Sequence, residues 1–127
     1  MLSNPKLKAF IPTTKPEQAK IFYRDIIGLN LLSQDTYGME LDSNGMVLRI
    51  NTVPEYTPHM FTILGWNVEE IAANIRSLNE KGIQFEKYPF LEQDELGIWT
   101  APDGTKVAWF KDPDGNLLSL TESINPQ

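Results

Sequence analysis

The chain contains no cysteine and a single histidine, His59. The first absence excludes disulfides and thiolate metal sites. The second excludes a histidine cluster for a metal and leaves a Ser-His-acid triad with one candidate base, which sits beside Pro58 where a surface or turn role is expected. No apolar run approaches the roughly 20 residues of a membrane span, and the opening MLSNPKLKAF lacks the apolar core of a signal peptide. These absences lead us to expect a cytoplasmic protein. Basic residues are outnumbered, 11 Lys and Arg against 17 Asp and Glu, for a net charge of −6 and a pI near 4.7. That balance argues against a phosphate-backbone partner, so neither nucleic acid nor membrane is expected. Low-complexity tracts and charge blocks are also missing. What remains is ordinary globular material: 127 residues, 41% hydrophobic, suiting one compact domain or two small halves that share a core.

One stretch occurs twice. Residues 41–50 read LDSNGMVLRI and residues 111–120 read KDPDGNLLSL. Laying Gly45 on Gly115 puts Asp42 on Asp112, Val47 on Leu117, Leu48 on Leu118 and Ile50 on Leu120. Each copy is an Asp-x-x-Gly turn followed by an apolar run, in which glycine supplies positive φ and Pro113 presets the second copy. Both read as hairpins with a mostly buried second strand, and a copied hairpin suggests two similar halves.

The rest of the chain follows that division. Residues 7–12 make a strand stopped by Pro12; Thr13 and Thr14 are placed to cap a helix with Pro16 in its first turn. Ala19, Phe22, Tyr23 and Ile26 or Ile27 recur at helical spacing, Gly28 ends the helix, and Tyr23 and Arg24 are expected to finish its surface. Strands follow at 29–33, 37–42 and 46–52. Residues 53–59, with Pro54 and Pro58, form a linker. The pattern then restarts: a strand at 60–67, a helix at 68–81 closed by Gly82, and strands at 83–87, 106–111 and 116–122, with an insertion after the second of these four strands.

Two βαβββ halves, the helix AKIFYRDIIGL and the last hairpin DPDGNLLSL together resemble the glyoxalase/bleomycin resistance protein/dioxygenase (vicinal oxygen chelate) superfamily over about residues 6–122. The resemblance implies an α+β fold, a single domain over 1–127 whose modules (about 6–52 and 60–122, joined by 53–59) form curled mixed sheets around one cavity. It also implies a homodimer and, in the family's enzymes, a divalent metal held by His and Glu. The positions that match the family's metal-facing ones here carry Lys8, Arg49, Ile63 and Ser119. Two cations, an aliphatic chain and a lone hydroxyl do not make a ligand set, so no metal and no other cofactor is expected.

Strand alternation separates two sets. Ala9, Ile11, Leu48, Ile50, Leu64, Trp66, Leu118 and Leu120 are uniformly apolar and should meet the helices. Lys8, Phe10, Val47, Arg49, Asn51, Phe61, Ile63, Gly65, Leu117 and Ser119 are mixed, as a ligand cavity requires, and Glu40 joins them between core-facing Met39 and Leu41. The resemblance implies that the strands of Lys8 and Arg49 pair side by side, where two such cations repel unless an anion lies between them. Glu40 as internal counter-ion is one solution; a ligand carboxylate or phosphate is the other. The acidic run Glu92, Asp94, Glu95 reads as a solvated loop, and Trp66 and Trp109 as core. Phe90 and Trp99 in the insertion suit either a lid or packing at the sheet edge. The candidate ligand contacts are therefore Lys8, Phe10, Glu40, Arg49, Phe61, Ile63, Trp99, Leu117 and Ser119. Three functions compete: a metal-independent protein that binds a small organic molecule, with an anion as one alternative; a lyase, isomerase or dioxygenase with atypical or no metal; and a structural or regulatory partner protein.

Overall fold

The computed structural model describes residues 1–124 and divides into two compact units, Met1–Thr57 and the segment from Pro58 onward. The first unit runs β1 (Lys8–Thr13), α1 (Pro16–Lys20) continuing as a π-helical segment (Ile21–Ile26), β2 (Asn30–Asp35), β3 (Gly38–Ser43) and β4 (Met46–Thr52). The second runs β5 (Thr62–Asn67), α2 (Ile71–Glu80), β6 (Trp99–Thr100), β7 (Lys106–Lys111) and β8 (Leu117–Glu122). Each makes a four-stranded mixed sheet, ordered β1-β4-β3-β2 and β5-β8-β7-β6. In both, the strand before the helix pairs in parallel with the last strand, and the remaining pairs are antiparallel. The halves thus repeat in topology as well as in order.

Period-two alternation explains the core of the first unit. Register places Ile11 beside Ile50, Ile50 beside Met39, and Leu48 beside Leu41, all buried. Each such side chain contributes about 1.5–3 kcal/mol of transfer energy. Ala19, Phe22 and Tyr23 are buried as well, the two rings meeting edge to face at 4.8 Å. Tyr23 therefore belongs to the core and does not finish the helix surface; Arg24 is exposed and pairs with Asp25. A wider turn here accommodates consecutive buried rings, with Ile27 N–H donating to the Phe22 carbonyl five residues back. Neither expected cap residue occupies the N-cap position: that is Lys15, which makes no side-chain cap bond, while Thr13 Oγ1 accepts from Lys15 N–H at 3.0 Å. At Gly38 a Cβ would fall on the Ile50 carbonyl oxygen of the adjacent strand, so this position admits only glycine.

In the second unit Ile71 and Ile75 bury one stripe of α2, and Ala108, Phe110, Leu118 and Leu120 bury the sheet face below. The helix borrows its N-terminal acceptor from β8, where Glu122 Oε1 takes the Ile71 N–H at 3.0 Å. Its C-terminus closes with paired bonds from Gly82 and Ile83 to the Asn79 and Leu78 carbonyls, with Gly82 at φ 91°.

The repeated Asp-x-x-Gly copies fold differently. Asn44 and Gly45, both at positive φ, make a two-residue loop between Ser43 and Met46. The second copy is longer: Asp112 N–H donates to Asn116 O, Gly115 N–H to Asp112 O, and Asp112 Oδ1 accepts from Asp114 and Asn116 N–H. Asp94–Ile98 repeats this second pattern bond for bond, with Asp94 Oδ1 accepting from Leu96 and Ile98. Ala101–Thr105 repeats its backbone part. Asp94 is thus a turn-forming residue within the acidic loop.

One element departs from expectation. Residues 83–87 do not form a strand; a single backbone bond, Glu86 N–H to Trp109 O at 2.8 Å, ties them to β7. The Gln93 side chain substitutes for a strand neighbour, accepting from Tyr88 N–H at 2.7 Å and donating to the Glu86 and Gly97 carbonyls. The paired second strand is β6, so the insertion precedes that strand instead of following it.

Candidate functional site

The mixed face of the first unit is built from β1, β3 and β4. Parallel pairing of β1 with β4 brings Lys8 opposite Val47 and Phe10 opposite Arg49, while antiparallel pairing sets Glu40 directly across from Arg49. Glu40 Oε2 consequently lies 2.8 Å from Lys8 Nζ and 3.6 Å from Arg49 Nη1. Of the two arrangements open from the sequence, the internal counter-ion is the one present. Arg49 Nε also donates to Asn51 Oδ1 at 2.9 Å, and Arg49 Nη2 reaches Asp35 Oδ1 at 3.4 Å. Two cations and two carboxylates therefore alternate across this face and cancel. Lys8 Nζ additionally sits 5.8 Å from the centre of the exposed Phe10 ring. Arg49 is the most enclosed member, its side chain only 15% exposed. The pairs are open enough to water that each contributes at most about 1 kcal/mol; they arrange charge more than they stabilise.

Asp35 is the contributor that sequence reading missed. Its Oδ1 accepts from Tyr37 and Gly38 N–H at 2.8 and 3.1 Å, forming the turn into β3. Those backbone donors, Tyr37 first, with help from the nearby Arg49 guanidinium, hold its carboxyl below the ordinary aspartate range. Because the folded value is depressed, the associated stabilisation is complete above the ordinary range and is lost as pH falls through the folded value. Denaturation midpoints measured from pH 6 down to pH 3 should therefore fall less steeply for Asp35→Asn than for the native chain.

In the second unit, Leu117 and Ser119 are buried on β8, and Ser119 pairs with Gly65 on β5 and with Trp109 on β7. A Cβ on Gly65 would stand 2.5 Å from Ser119 Oγ, so the missing side chain makes room for that hydroxyl. Ile63 falls where the β5–β8 register shifts, and Phe61 precedes β5 as an exposed ring stacked on His59 at 5.0 Å. Trp99 is held in β6 opposite Val107 and is not a free lid; its ring lies 6.4 Å from Trp109. Trp109, expected in the core, is half-buried on the Ser119 side of the sheet, and Tyr88 meets it edge to face at 5.7 Å. The hairpin centred on Asp114 carried a usable signal, since Trp109 and Ser119 are equidistant from it and so share a face. Trp66 is also half-buried, stacked on core Phe110.

At the positions expected from the family resemblance to face a metal, the side chains present do not suit a divalent ion. Lys8 and Arg49 bring positive charge, Ile63 has no donor atom, and Ser119 offers one neutral hydroxyl. Among the described residues no group of three or more His, Cys, Asp and Glu side chains converges to hold a metal.

Topology and site residues lead to a defined class. The chain belongs to the Glyoxalase/Bleomycin resistance protein/Dioxygenase superfamily, whose family model matches residues 7–120. No curated protein sequence matches it. Solved structures with the same fold include a glyoxalase family protein from Enterococcus faecalis, at 23% identity, covering 96% of this chain and 100% of that one with a TM-score of 0.70. TnmS3, an antibiotic binding protein from Streptomyces sp. CB03234, aligns at 22% identity over 96% of this chain and 98% of its own, with a TM-score of 0.73. A lactoylglutathione lyase from Agrobacterium tumefaciens aligns at 14% identity over 97% and 96%, with a TM-score of 0.74. A binder and a lyase resemble the chain equally in fold, so fold alone does not choose between those activities.

Proposed function

We propose that this chain binds a small organic molecule without a bound metal ion, in a sequestering or sensing role. The observation that supports this most is the presence of Lys8, Arg49, Ile63 and Ser119 where ligands would be expected, with Glu40 already engaged by both cations and Asp35 by Arg49. The candidate contacts are Phe10, Glu40 and the two cations on the mixed face of the first unit and, taken by itself, the second unit's Phe61, Ile63, Trp99, Leu117 and Ser119. An anionic ligand is not required, because Glu40 and Asp35 already balance the cations. A cytoplasmic homodimer completes the proposal on family habit. The alternative, a lyase, isomerase or dioxygenase, needs either an ion these donors do not favour or the Lys8–Glu40 pair acting as an acid–base couple.

Purified protein exposed to zinc, nickel and manganese and then dialysed should retain no stoichiometric metal; one divalent ion per chain would overturn the proposal. Glu40→Gln should lose about 1 kcal/mol of stability, removing the carboxylate that Lys8 and Arg49 share and leaving Asp35 beside Arg49. Sulfate should then raise the melting temperature of the variant more than that of the native chain, an excess that fades in high salt. Equal responses would mean that Glu40 is not the balancing charge.

A further inference from the structure

The β3–β4 hairpin turns on Asn44-Gly45, the one Asn-Gly pair in the chain. Both residues are exposed, and both are left-handed, at φ 50° and 88°. An asparagine followed by glycine is open to attack by the backbone on its own side chain, because no Cβ shields the following nitrogen. Gly45 stands in open space as well. Apart from its sequence neighbours, the nearest heavy atom to a Cβ built there is Lys6 Nζ, at 4.0 Å.

In such an attack the Gly45 amide nitrogen bonds to Asn44 Cγ and the Cγ–Nδ2 bond breaks. The proton shed by Gly45 N–H leaves with Nδ2 as ammonia, and a five-membered succinimide remains. Water then opens the ring at either carbonyl, giving aspartate or, with the chain rerouted through Cγ, isoaspartate. The fold holds these reactants apart. A left-handed residue in a two-residue hairpin loop directs the next nitrogen away from its own Cβ, so attack needs rotation about the Asn44 Cα–C bond. Asp42 opposes that rotation, because its Oδ1 accepts from Gly45 N–H, the attacking nitrogen, at 3.1 Å. Pairing of Ser43 with Met46 and of Asp42 with Val47 clamps the two ends of the loop.

We propose that Asn44 is a latent site of succinimide-mediated deamidation and that Asp42 is the residue that restrains it. The first Asp-x-x-Gly copy thus guards a reactive pair that the second copy, with Asp114 before its glycine, does not contain. The modification would reach beyond the turn. Isoaspartate lengthens the backbone inside a loop of two residues, and that loop sets the register that places Glu40 opposite Arg49.

The native chain and the guanidinium-unfolded chain, incubated in mildly alkaline buffer and then digested, report the reaction by peptide mass, an amide exchanged for a carboxyl at Asn44. Conversion should be slower in the native chain by roughly tenfold or more. This comparison needs no variant and decides by itself whether the turn restrains the reaction. Asp42→Ala should raise the rate in the folded protein by roughly fivefold, the effect of losing one hydrogen bond. Asp42→Asn, whose amide oxygen can still accept from Gly45 N–H, should stay near the native rate. Asp94→Ala removes a comparable exposed turn carboxylate from the second unit and should leave the rate at Asn44 unchanged. Asn44→Gly keeps a left-handed turn and should abolish the product. Equal rates in native and unfolded chains would overturn the proposal, as would no acceleration in Asp42→Ala. Acceleration of the same size in Asp42→Asn or Asp94→Ala would overturn it too, since the Gly45 bond would then not be the restraint.

Discussion

Replacing Phe110 with alanine is expected to cost about 3–5 kcal/mol of unfolding free energy, the largest loss for any single truncation in the second unit. Phe110 is fully buried on β7, its ring 5.1 Å from Phe85 and 6.5 Å from Trp66, with Leu118 as its register partner on β8. Removing the ring withdraws its transfer energy and leaves a cavity between a strand, a half-buried indole and the unpaired 83–87 segment. That segment has a single backbone bond to β7, so collapse around the cavity would disturb it instead of filling the space cheaply. Against a typical total stability of about 5–15 kcal/mol, much of the native population is at risk. Urea denaturation followed by tryptophan emission measures the loss, and Phe110→Leu should recover most of it. A cost under about 1 kcal/mol would mean that Phe110 is not packed as described.

The next largest effect comes from a comparison internal to the molecule. Asp112 and Asp94 close turns with the same bonds: in each, Oδ1 accepts two backbone N–H groups and the chain closes through the glycine three residues on. They differ in surroundings. Asp112 is 7% exposed, and its second oxygen accepts from the buried Asn116 amide at 2.8 Å; Asp94 is exposed. Water can replace a lost acceptor at Asp94, whereas at Asp112 donors lose a charged acceptor inside the protein. Asp112→Ala should therefore cost about 3 kcal/mol and Asp94→Ala about 1 kcal/mol, measured by the same denaturation experiment. Equal costs would show that turn geometry, not burial, sets the value of these carboxylates.

Both results bear on function through the scaffold. Phe110 and Asp112 hold β7 and β8 in register, and that register is what puts Trp109 beside Ser119 on one face.

Local signals carried much of the architecture. Gly28 and Gly82 lie just past helical stripes, and both occupy positive φ as helix-terminating residues. Leu48, Ile50, Leu118 and Leu120 alternate along strands and are buried on the core faces, while Arg49 between the first two is turned away. Where reading failed, a distant partner had overruled a local pattern. Residues 83–87 have the apolar content of a strand, yet Gln93 occupies the bonding position that a strand neighbour would take. Tyr23 has a polar tip suited to a surface, yet it is fully buried beside Phe22 where the helix widens.

By itself the sequence determined the repeated order of elements, most of the turns that divide them and the donor atoms that each side chain can offer. Those properties follow from backbone preferences, short periodicities and the atoms each side chain carries, all of which act over a few residues. Only the tertiary structure decided that Glu40 lies between Lys8 and Arg49, that Asp35 completes the charge balance, and that Trp109 joins Tyr88, Phe90 and Trp99 in one row. For the side chains carried on strands the physical reason is register: shifting a strand by a single residue would turn them to the opposite face, and register is settled by the packing of the whole sheet.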